Sequence, residues 1–372
     1  MLDLLCHAAR RLTDRWTWAP AVATILAVPV SIAVGPVARA DDGSGGPSVS
    51  VMTQNVDEGT DFVELSAAQT PAQFVAAVTT TYQNILATKP AERAAGMAQE
   101  IAKQGPDLVA VQEASVLRTG SGGPAVTVQS DLLQSLSEAL AALEQHYEVI
   151  AIVPGLDAQA PSTLGFDVRL TTQDAILART DLPAGSLTLS NLQIQHYGIN
   201  LAVPTPVGGS VALTRGWAAI DVRREGQTFR FVTTHLDAVV PLIQLAQAGE
   251  LVLSAGNTSL PVILAGDLNS TADAPLDPSY AAYQAVINAG FLDAWKQKRA
   301  VDPGFTCCQA PNLQNTVSLL NHRIDLVLFR GAFGIADIHL VGNSLADRSP
   351  SGLWPSDHAG VVATLLIPST SD

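Results

Sequence analysis

Polar side chains stand at the ends of apolar, strand-like runs at several places in this 372-residue sequence. Asn55 and Glu113 end the first two runs, and the tetrapeptides 234–237 and 266–269 follow two later ones. The tripeptide 356–358 comes directly before the last run. The residues that could carry chemistry are Asn55, Glu113, His235, Asp267, Asn269, Asp325, Asp357 and His358.

These residue types suit a divalent metal ion and proton transfer. Carboxylate and carboxamide oxygens are ligands of hard cations, and histidine exchanges protons near neutral pH. A single Asp or Asn after a strand is more often a turn former or helix cap, and a single His is more often structural. Five such places in one chain favour a shared site. The absence of a G-x-S-x-G motif and of a Walker-type loop argues against a serine hydrolase and an NTPase.

Apolar runs bounded by turn residues predict the strands that must position these side chains. They lie at 49–56, 107–113, 174–178, 218–222, 228–234, 261–265, 324–329 and 360–366. Helices are predicted at 71–88, 91–104, 128–144, 241–255 and 281–289. Many strands with few helices between them predict an α/β (α+β) fold, a four-layer sandwich of two packed, mainly antiparallel or mixed β-sheets flanked by helices. Because no long linker follows Gly46, residues 49–368 are predicted to form a single domain.

The first forty residues have the pattern of a signal peptide. Arg10, Arg11 and Arg15 precede an apolar, uncharged run at 19–38, and Ala38-Arg39-Ala40 is an A-x-A cleavage signal. A retained membrane anchor is the alternative, since the run approaches the length of a bilayer span. We expect cleavage near Ala40/Asp41, a flexible segment at 41–48, and a protein located outside the cell or in the cell envelope.

The chain is acidic, with 20 Lys and Arg against 34 Asp and Glu and a formal net charge of −14. The predicted leader holds four Arg and two Asp, so its removal leaves a net charge of −16. Such a charge argues against a broad basic surface for nucleic acid, but not against an enzyme that meets phosphates through metal ions.

The leader also contains Cys6, so the mature chain keeps only the neighbouring residues Cys307 and Cys308. Two cysteines make no disulfide framework. A vicinal disulfide between them is the oxidised alternative. A zinc site is not expected, because no second pair of ligands lies nearby in the sequence. We therefore expect a local structural role for these two residues.

Six ordered motifs give the sequence a family resemblance. It resembles the endonuclease/exonuclease/phosphatase superfamily, which includes deoxyribonuclease I-like enzymes, over essentially all of the mature chain. The motifs are TQNVDEG (53–59), PDLVAVQEA (106–114), TTHLDA (233–238), VILAGDLNST (262–271), HRIDLVL (322–328) and WPSDHAGV (354–361).

The resemblance implies a metal-dependent phosphoesterase, most simply a phosphodiesterase in which an activated water attacks in line. Asn55, Glu113 and Asp357 would hold the metal, and Asp267 and Asn269 would orient the water and bind a phosphate oxygen. The resemblance also implies that His358 pairs with Asp325 and that His235 binds the phosphate or protonates the leaving group. Either Asp267 or His358 would be the general base.

The implied cofactor is Mg²⁺, with Mn²⁺ or Ca²⁺ as alternatives, and the implied partner is a phosphate ester. Nucleic acid, a phospholipid headgroup and a small phosphodiester remain open as substrates. The corresponding activities are an extracellular deoxyribonuclease-type endonuclease, a sphingomyelinase or phospholipase C-like hydrolase, and a small-molecule phosphodiesterase. We expect a monomer without a stable nucleic-acid complex. An inactive binding protein is disfavoured, because the motif residues are all present.

Three weaker candidates have competing structural interpretations. The segment 192–211 could touch a membrane or form an ordinary strand pair. Arg215 and Arg323 could contact substrate phosphate, but ion pairs within the fold are equally compatible with the sequence.

Overall fold

A computed structural model describes residues 47–367 of the chain. The predicted signal peptide at 1–40 lies outside these residues, as do residues 41–46 of the predicted flexible segment and residue 368 at the predicted domain end. Within the described range, no helix combines the length and the apolar character needed to cross a bilayer.

Sixteen strands and seven α-helices follow one another along residues 47–367. The strands are β1 (Ser48–Asn55), β2 (Leu108–Gln112), β3 (Val116–Gly120), β4 (Thr127–Asp131), β5 (Tyr147–Pro161), β6 (Asp167–Arg179), β7 (Leu187–His196), β8 (Leu201–Pro204), β9 (Ser210–Leu213), β10 (Gly216–Arg224), β11 (Gln227–His235), β12 (Val262–Asp267), β13 (Leu292–Asp293), β14 (Asp325–Arg330), β15 (Gly334–Val341) and β16 (Gly360–Leu366). The helices are α1 (Val63–Ala67), α2 (Pro71–Ala87), α3 (Pro90–Gln104), α4 (Leu132–Ala142), α5 (Pro241–Leu253), α6 (Tyr280–Asn288) and α7 (Ala294–Lys298).

Two large mixed sheets contain most of the strands. The first has the order β15-β16-β1-β2-β6-β3-β4, with β5 also paired to β6, and the second has the order β13-β14-β12-β11-β10-β7. Strands β8 and β9 form a separate hairpin. Within each large sheet one pair runs parallel, β1 with β2 and β11 with β12. These two parallel pairs matter most for the site, because the carboxyl ends of paired parallel strands lie at the same edge.

Apolar clusters hold the sheets and helices together in layers. Between the sheets, side chains such as Val51 and Ile176 pack against Phe231 and Ile263. A second cluster joins the outer face of the second sheet to α5 and α6, and a third joins the outer face of the first sheet to α3 and α4. This helix–sheet–sheet–helix arrangement confirms the predicted four-layer sandwich.

Helix boundaries follow local capping chemistry. Helix α2 begins after Thr70, which forms a capping box with Gln73 and precedes Pro71. Helix α3 ends at Gly105, whose φ of 57° suits glycine.

The predicted helix at 128–144 was wrong at its start. Residues Thr127–Asp131 pair with β3 as strand β4, and Asp131 caps the shorter helix α4 by accepting from Gln134 N. Strands β3, β5, β13 and β15 and the short helices α1 and α7 were not predicted, and only residues 174–178 of β6 were. Strand β5 contains the apolar run 149–153, but most of its positions are half-buried or exposed, as on an edge strand.

Glu100 on α3 is an acidic side chain in an unfavourable environment. Both of its carboxyl oxygens are buried without a hydrogen-bond partner among the described residues. Burial raises the pKa of Glu100 to about 8, and the nearby Asp347 carboxylate contributes to the shift.

The substitution Glu100→Gln should therefore stabilise the fold in a pH-dependent way. The unfolded chain ionises Glu100 near pH 4.5 and the folded chain only near pH 8, so native stability is lost as pH rises through this interval. We expect a gain of about 1–3 kcal/mol at pH 7–8 and little change at pH 4–5. Urea unfolding at each pH measures it, with Glu138→Gln on the exposed face of α4 as the control. Parallel stability–pH curves for Glu100→Gln and wild type would contradict the prediction.

Candidate functional site

Strand pairing brings the sequence-predicted residues to one edge where the two sheets meet. Asn55 and Glu113 lie at the carboxyl ends of the parallel strands β1 and β2. In the second sheet His235 is in register with Asp267, and Asp267 is in register with Asp325. The segment that contains Asp357 and His358 enters β16 at the same edge.

Asn55 connects the two sheets through its side-chain amide. Its Nδ2 donates to Glu113 Oε1 at 2.9 Å and to Asp267 Oδ2 at 3.1 Å. Its Oδ1 accepts from Asp57 N at 2.9 Å. Glu113 has a φ of 60°, and its backbone N–H donates to Asp174 Oδ1 at 3.3 Å. The amide therefore fixes the carboxylates of Glu113 and Asp267 close together.

His358 and Asp325 form a buried pair. His358 Nδ1 lies 2.7 Å from Asp325 Oδ2 and 3.9 Å from Asp267 Oδ2. The backbone N–H of His358 donates to Ser356 Oγ, and that hydroxyl donates to the carbonyl of Asn55 at 2.7 Å. Ser356 thus ties the segment before β16 to the end of β1.

The two members of this pair shift each other's protonation. Burial alone lowers the pKa of His358, but the carboxylates of Asp325 and Asp357 outweigh it and hold the pKa well above its usual value. Burial raises the pKa of Asp325, and the His358 imidazolium opposes that rise. The pair therefore holds a proton close to the Asp267 carboxylate.

Arg215 sets the tautomer of His235. Its Nη1 lies 2.7 Å from His235 Nδ1, and because a guanidinium can only donate, this Nδ1 must accept. The proton of the neutral ring then sits on Nε2, which lies 3.7 Å from both Glu113 Oε1 and Asp267 Oδ2. His235 therefore presents an N–H donor to the space between these carboxylates. From the sequence, Arg215 could contact substrate phosphate or form an ion pair. In the structure its side chain instead hydrogen-bonds to His235.

The remaining predicted residues join the same cluster. Asn269, with a φ of 50°, donates its backbone N–H to Asp267 Oδ1 at 2.7 Å and its Nδ2 to the carbonyl of Leu236. Asp357 Oδ1 lies 3.9 Å from His358 Nε2, and 22% of the Asp357 side chain is exposed. The structure therefore brings all eight predicted residues together.

Two acidic residues of the site were not predicted from the sequence. Asp57 and Glu58 are buried beside Asn55, and the backbone N–H of Glu58 donates to Glu113 Oε2. Burial raises the pKa of Asp57 against the nearby Arg93, and burial together with Glu113 holds the pKa of Glu58 well above its usual value. Their position inside the TQNVDEG motif was the available signal.

The cluster fits a divalent cation. Several carboxylates converge there with His235 and His358, and Asp357 Oδ1 is buried without a hydrogen-bond partner among residues 47–367. Buried anionic oxygens of this kind are normally paired with a cation. Asn55, Glu113 and Asp357 carry oxygen atoms of the type that Mg²⁺ and its hard relatives prefer.

The weaker candidate Arg323 and two further motif residues, Asp237 and Trp354, have structural roles. Arg323 forms a buried bidentate ion pair with Asp293. Asp237 accepts from the backbone N–H groups of Val239 and Val240 just before α5. Trp354 is fully buried and donates to a loop carbonyl. None of these side chains is available for substrate.

The sequence pattern of the Endonuclease/Exonuclease/phosphatase family matches residues 52–358, which is most of the chain and includes every site residue described above. The protein belongs to this family. It is therefore a hydrolase of phosphoester bonds, and the divalent-metal dependence of the family agrees with the acidic cluster. Comparison with curated proteins gives no match.

Solved structures support the same fold. A family member from Beutenbergia cavernae DSM 12333 is 20% identical, with a TM-score of 0.52 over 87% of this chain and 72% of its own. A family protein from Leptotrichia buccalis C-1013-b is 16% identical, with a TM-score of 0.51 over 86% of this chain and 100% of its own. A humanised D. rerio TDP2 is 17% identical, with a TM-score of 0.50 over 86% and 98%. At these identities the likeness concerns the fold alone.

The substitution Arg215→Met should weaken catalysis by releasing the tautomer of His235. We expect kcat for a phosphodiester to fall about 10- to 100-fold, the range typical of groups that orient another side chain. Nitrogen NMR of the His235 ring should show Nδ1 unprotonated in the wild type and a tautomer mixture in the variant. Arg169→Met, which removes a surface ion pair with Asp157, is the control. An unchanged ring spectrum in Arg215→Met would refute the role.

Proposed function

We propose that this protein is an exported, Mg²⁺-dependent phosphodiesterase whose catalytic centre is the cluster around Asn55, Asp267 and His358. The observation that carries the proposal is the chain of contacts from Asn55 to Glu113 and Asp267 and on to the His358–Asp325 pair. Export rests on the signal-peptide pattern of residues 1–40. We further propose that residues 49–368 act as a single domain and a monomer.

The proposed roles follow from the contacts of each residue. Asn55, Glu113 and Asp357 would hold Mg²⁺, which neutralises charge on the non-bridging phosphate oxygens when bound. Asp267 and Asn269 would orient the attacking water. His235 donates from Nε2 to a phosphate oxygen, since Nδ1 is occupied by Arg215. Asp267 or His358 would accept the proton of the water, and Asp325 would hold the His358 ring by its hydrogen bond to Nδ1.

The charge around the cluster favours a substrate that presents one phosphodiester at a time. Arg93 is fully buried and bonded to backbone carbonyls, so it cannot track a polyanion. Arg215 is only partly buried, but its guanidinium is bound to His235. With a net charge of −16 after removal of the predicted leader, a small phosphodiester fits better than a long nucleic acid.

A phospholipid headgroup is the second candidate, because the β8–β9 hairpin lies beside the site. Its base is held there by Asn200 Oδ1, which accepts from Arg215 N at 2.8 Å. Ile199, Val203 and Val207 are 53%, 38% and 47% exposed. Exposed aliphatic side chains of this kind could rest on a lipid surface.

Removal of the metal should abolish hydrolysis. We expect EDTA to remove activity on bis-(p-nitrophenyl) phosphate and excess Mg²⁺ to restore it, because the carboxylate cluster needs a cation to accept an anionic substrate. The substitution Glu113→Gln should raise the Mg²⁺ concentration that gives half-maximal rate. Full activity in chelator would refute a metal-dependent phosphodiesterase.

The substitution His358→Ala should lower kcat by about 10²- to 10⁴-fold with little loss of stability, because it removes the proton-transfer group. His339→Ala is a matched control, since His339 makes the same kind of contact with Asp337 at 2.8 Å on β15, away from the cluster. We expect that control to keep wild-type kcat. Equal losses in both variants would mean that the His358 effect is structural.

A parallel assay separates the substrates. The protein is tested on bis-(p-nitrophenyl) phosphate, plasmid DNA, RNA and vesicles of phosphatidylcholine or sphingomyelin. Preference for the small diester supports the first proposal. Preference for vesicles, lost on Val203→Asp and Val207→Asp with small-diester activity retained, would establish the lipid alternative. Preference for DNA or RNA would overturn both.

A further inference from the structure

Cys307 and Cys308 lie against the catalytic histidine, although nothing in their sequence context predicts it. Cys308 Sγ is 3.9 Å from His358 Nε2, and the two sulfur atoms and a ring nitrogen all lie within 4.8 Å of one another. The structure joins the two cysteines in a disulfide. The fold therefore brings a nitrogen ligand to the two cysteines, although no such ligand lies near them in the sequence.

The backbone holds the cysteines in this position. Cys307 N donates to the carbonyl of His322, and the Cys307 carbonyl accepts from the N–H groups of Asn321 and His322. On the other side, Gln309 N donates to the carbonyl of Asp357, and Ala359 N donates to that of Thr306. The cysteine segment is therefore fixed between residue 322 and the residues around His358.

The ring of His358 is oriented as a metal ligand. Its Nδ1 is bonded to the Asp325 carboxylate at 2.7 Å, which leaves Nε2 facing Cys308. Metal-binding histidines typically use this arrangement, with a carboxylate on the other nitrogen to fix the tautomer. In a tetrahedral zinc site, sulfur and nitrogen ligands are about 3.5 Å apart, given bond lengths of about 2.3 and 2.0 Å.

We propose that Cys307 and Cys308, once reduced, bind a soft divalent cation such as Zn²⁺ together with His358 Nε2, and that this binding stops catalysis. Two sulfur ligands and one imidazole select Zn²⁺ or Cd²⁺ over Mg²⁺. Asp357 Oδ1, buried and 3.9 Å from the same Nε2, can supply a fourth ligand. A bound cation occupies the nitrogen that catalysis needs.

The redox step balances with a dithiol as the reductant. Two electrons and two protons pass from the dithiol to the protein, the Cys307–Cys308 bond breaks, and the dithiol closes to its own disulfide. Binding of the cation then releases the two thiol protons and the Nε2 proton of the His358 imidazolium to solvent. The disulfide form has no thiolates to offer and should be insensitive to the metal.

Metal binding is measured on the full chain without any substrate, so its outcome does not depend on the proposed phosphodiesterase activity. Protein reduced with dithiothreitol and freed of it under argon is titrated with Cd²⁺ in excess Mg²⁺, and thiolate-to-cadmium absorption reports sulfur ligation. We expect one equivalent per reduced chain and none in oxidised protein. Sulfur-ligated Cd²⁺ in oxidised protein, or a disulfide that the dithiol cannot open, would overturn the proposal.

Variants identify the ligands. Cys308→Ser and His358→Ala should each weaken Zn²⁺ binding at least 100-fold, and Asp325→Asn about 10- to 100-fold. His322→Ala is the matched control, because His322 lies on the other side of the cysteine segment, and it should bind as the wild type does. Far-UV circular dichroism checks that each variant is folded. Loss of Zn²⁺ binding in His322→Ala, with binding retained in His358→Ala, would show that His322 and not His358 supplies the nitrogen ligand.

Inhibition is measured separately. Micromolar Zn²⁺ should inhibit hydrolysis of bis-(p-nitrophenyl) phosphate by the reduced protein and leave the oxidised protein unaffected, and His322→Ala should show the same contrast. Equal inhibition of both redox forms would place the inhibitory Zn²⁺ in the Mg²⁺ site and contradict the proposal.

Discussion

Concentrated negative charge at the seam between two sheets is the constraint on which the site depends. Asp57, Glu58 and Asp357 lie in one cluster with Glu113 and Asp267, and burial together with neighbouring carboxylates raises the pKa of Asp57, Glu58 and Asp357. A fold tolerates such a cluster only if other groups fix it and a cation completes it. The hydrogen bonds of the site fix these carboxylates in place.

The contacts that fix the cluster lie both between the two sheets and within the first sheet. Asn55 donates to carboxylates from both sheets, and Ser356 joins the segment before β16 to the end of β1. These contacts are buried or part-buried and lie within ordinary hydrogen-bond distance, so a change in sheet packing would break them. Apolar packing between the sheets therefore matters to chemistry as well as to stability, because it sets the distance across which these side chains must meet.

The features of the fold and the site that could be predicted are those that a local sequence pattern encodes. Central strands such as β12 and β16 are buried on both faces, and their continuous apolar runs identified them. Buried or half-buried positions alternate with exposed ones along the edge strand β5, which was not predicted. Most of β4, which pairs with β3, was predicted to be helical. The eight predicted residues that the structure brings together all lie in the six motifs. By contrast, Arg215 on His235 and Cys308 on His358 are contacts between different segments of the chain, which no local pattern contains.

The Asp325–His358 contact connects catalysis to the cysteines. The carboxylate that holds Nδ1 leaves Nε2 free, and a free, oriented Nε2 serves equally well for proton transfer and for binding a soft metal. Because both uses draw on one nitrogen, they exclude each other, and a substitution at Asp325 should weaken both. A disulfide between Cys307 and Cys308 removes the competitor without altering the histidine. In an oxidising compartment, such as the predicted location of this protein, the histidine would then remain available for hydrolysis.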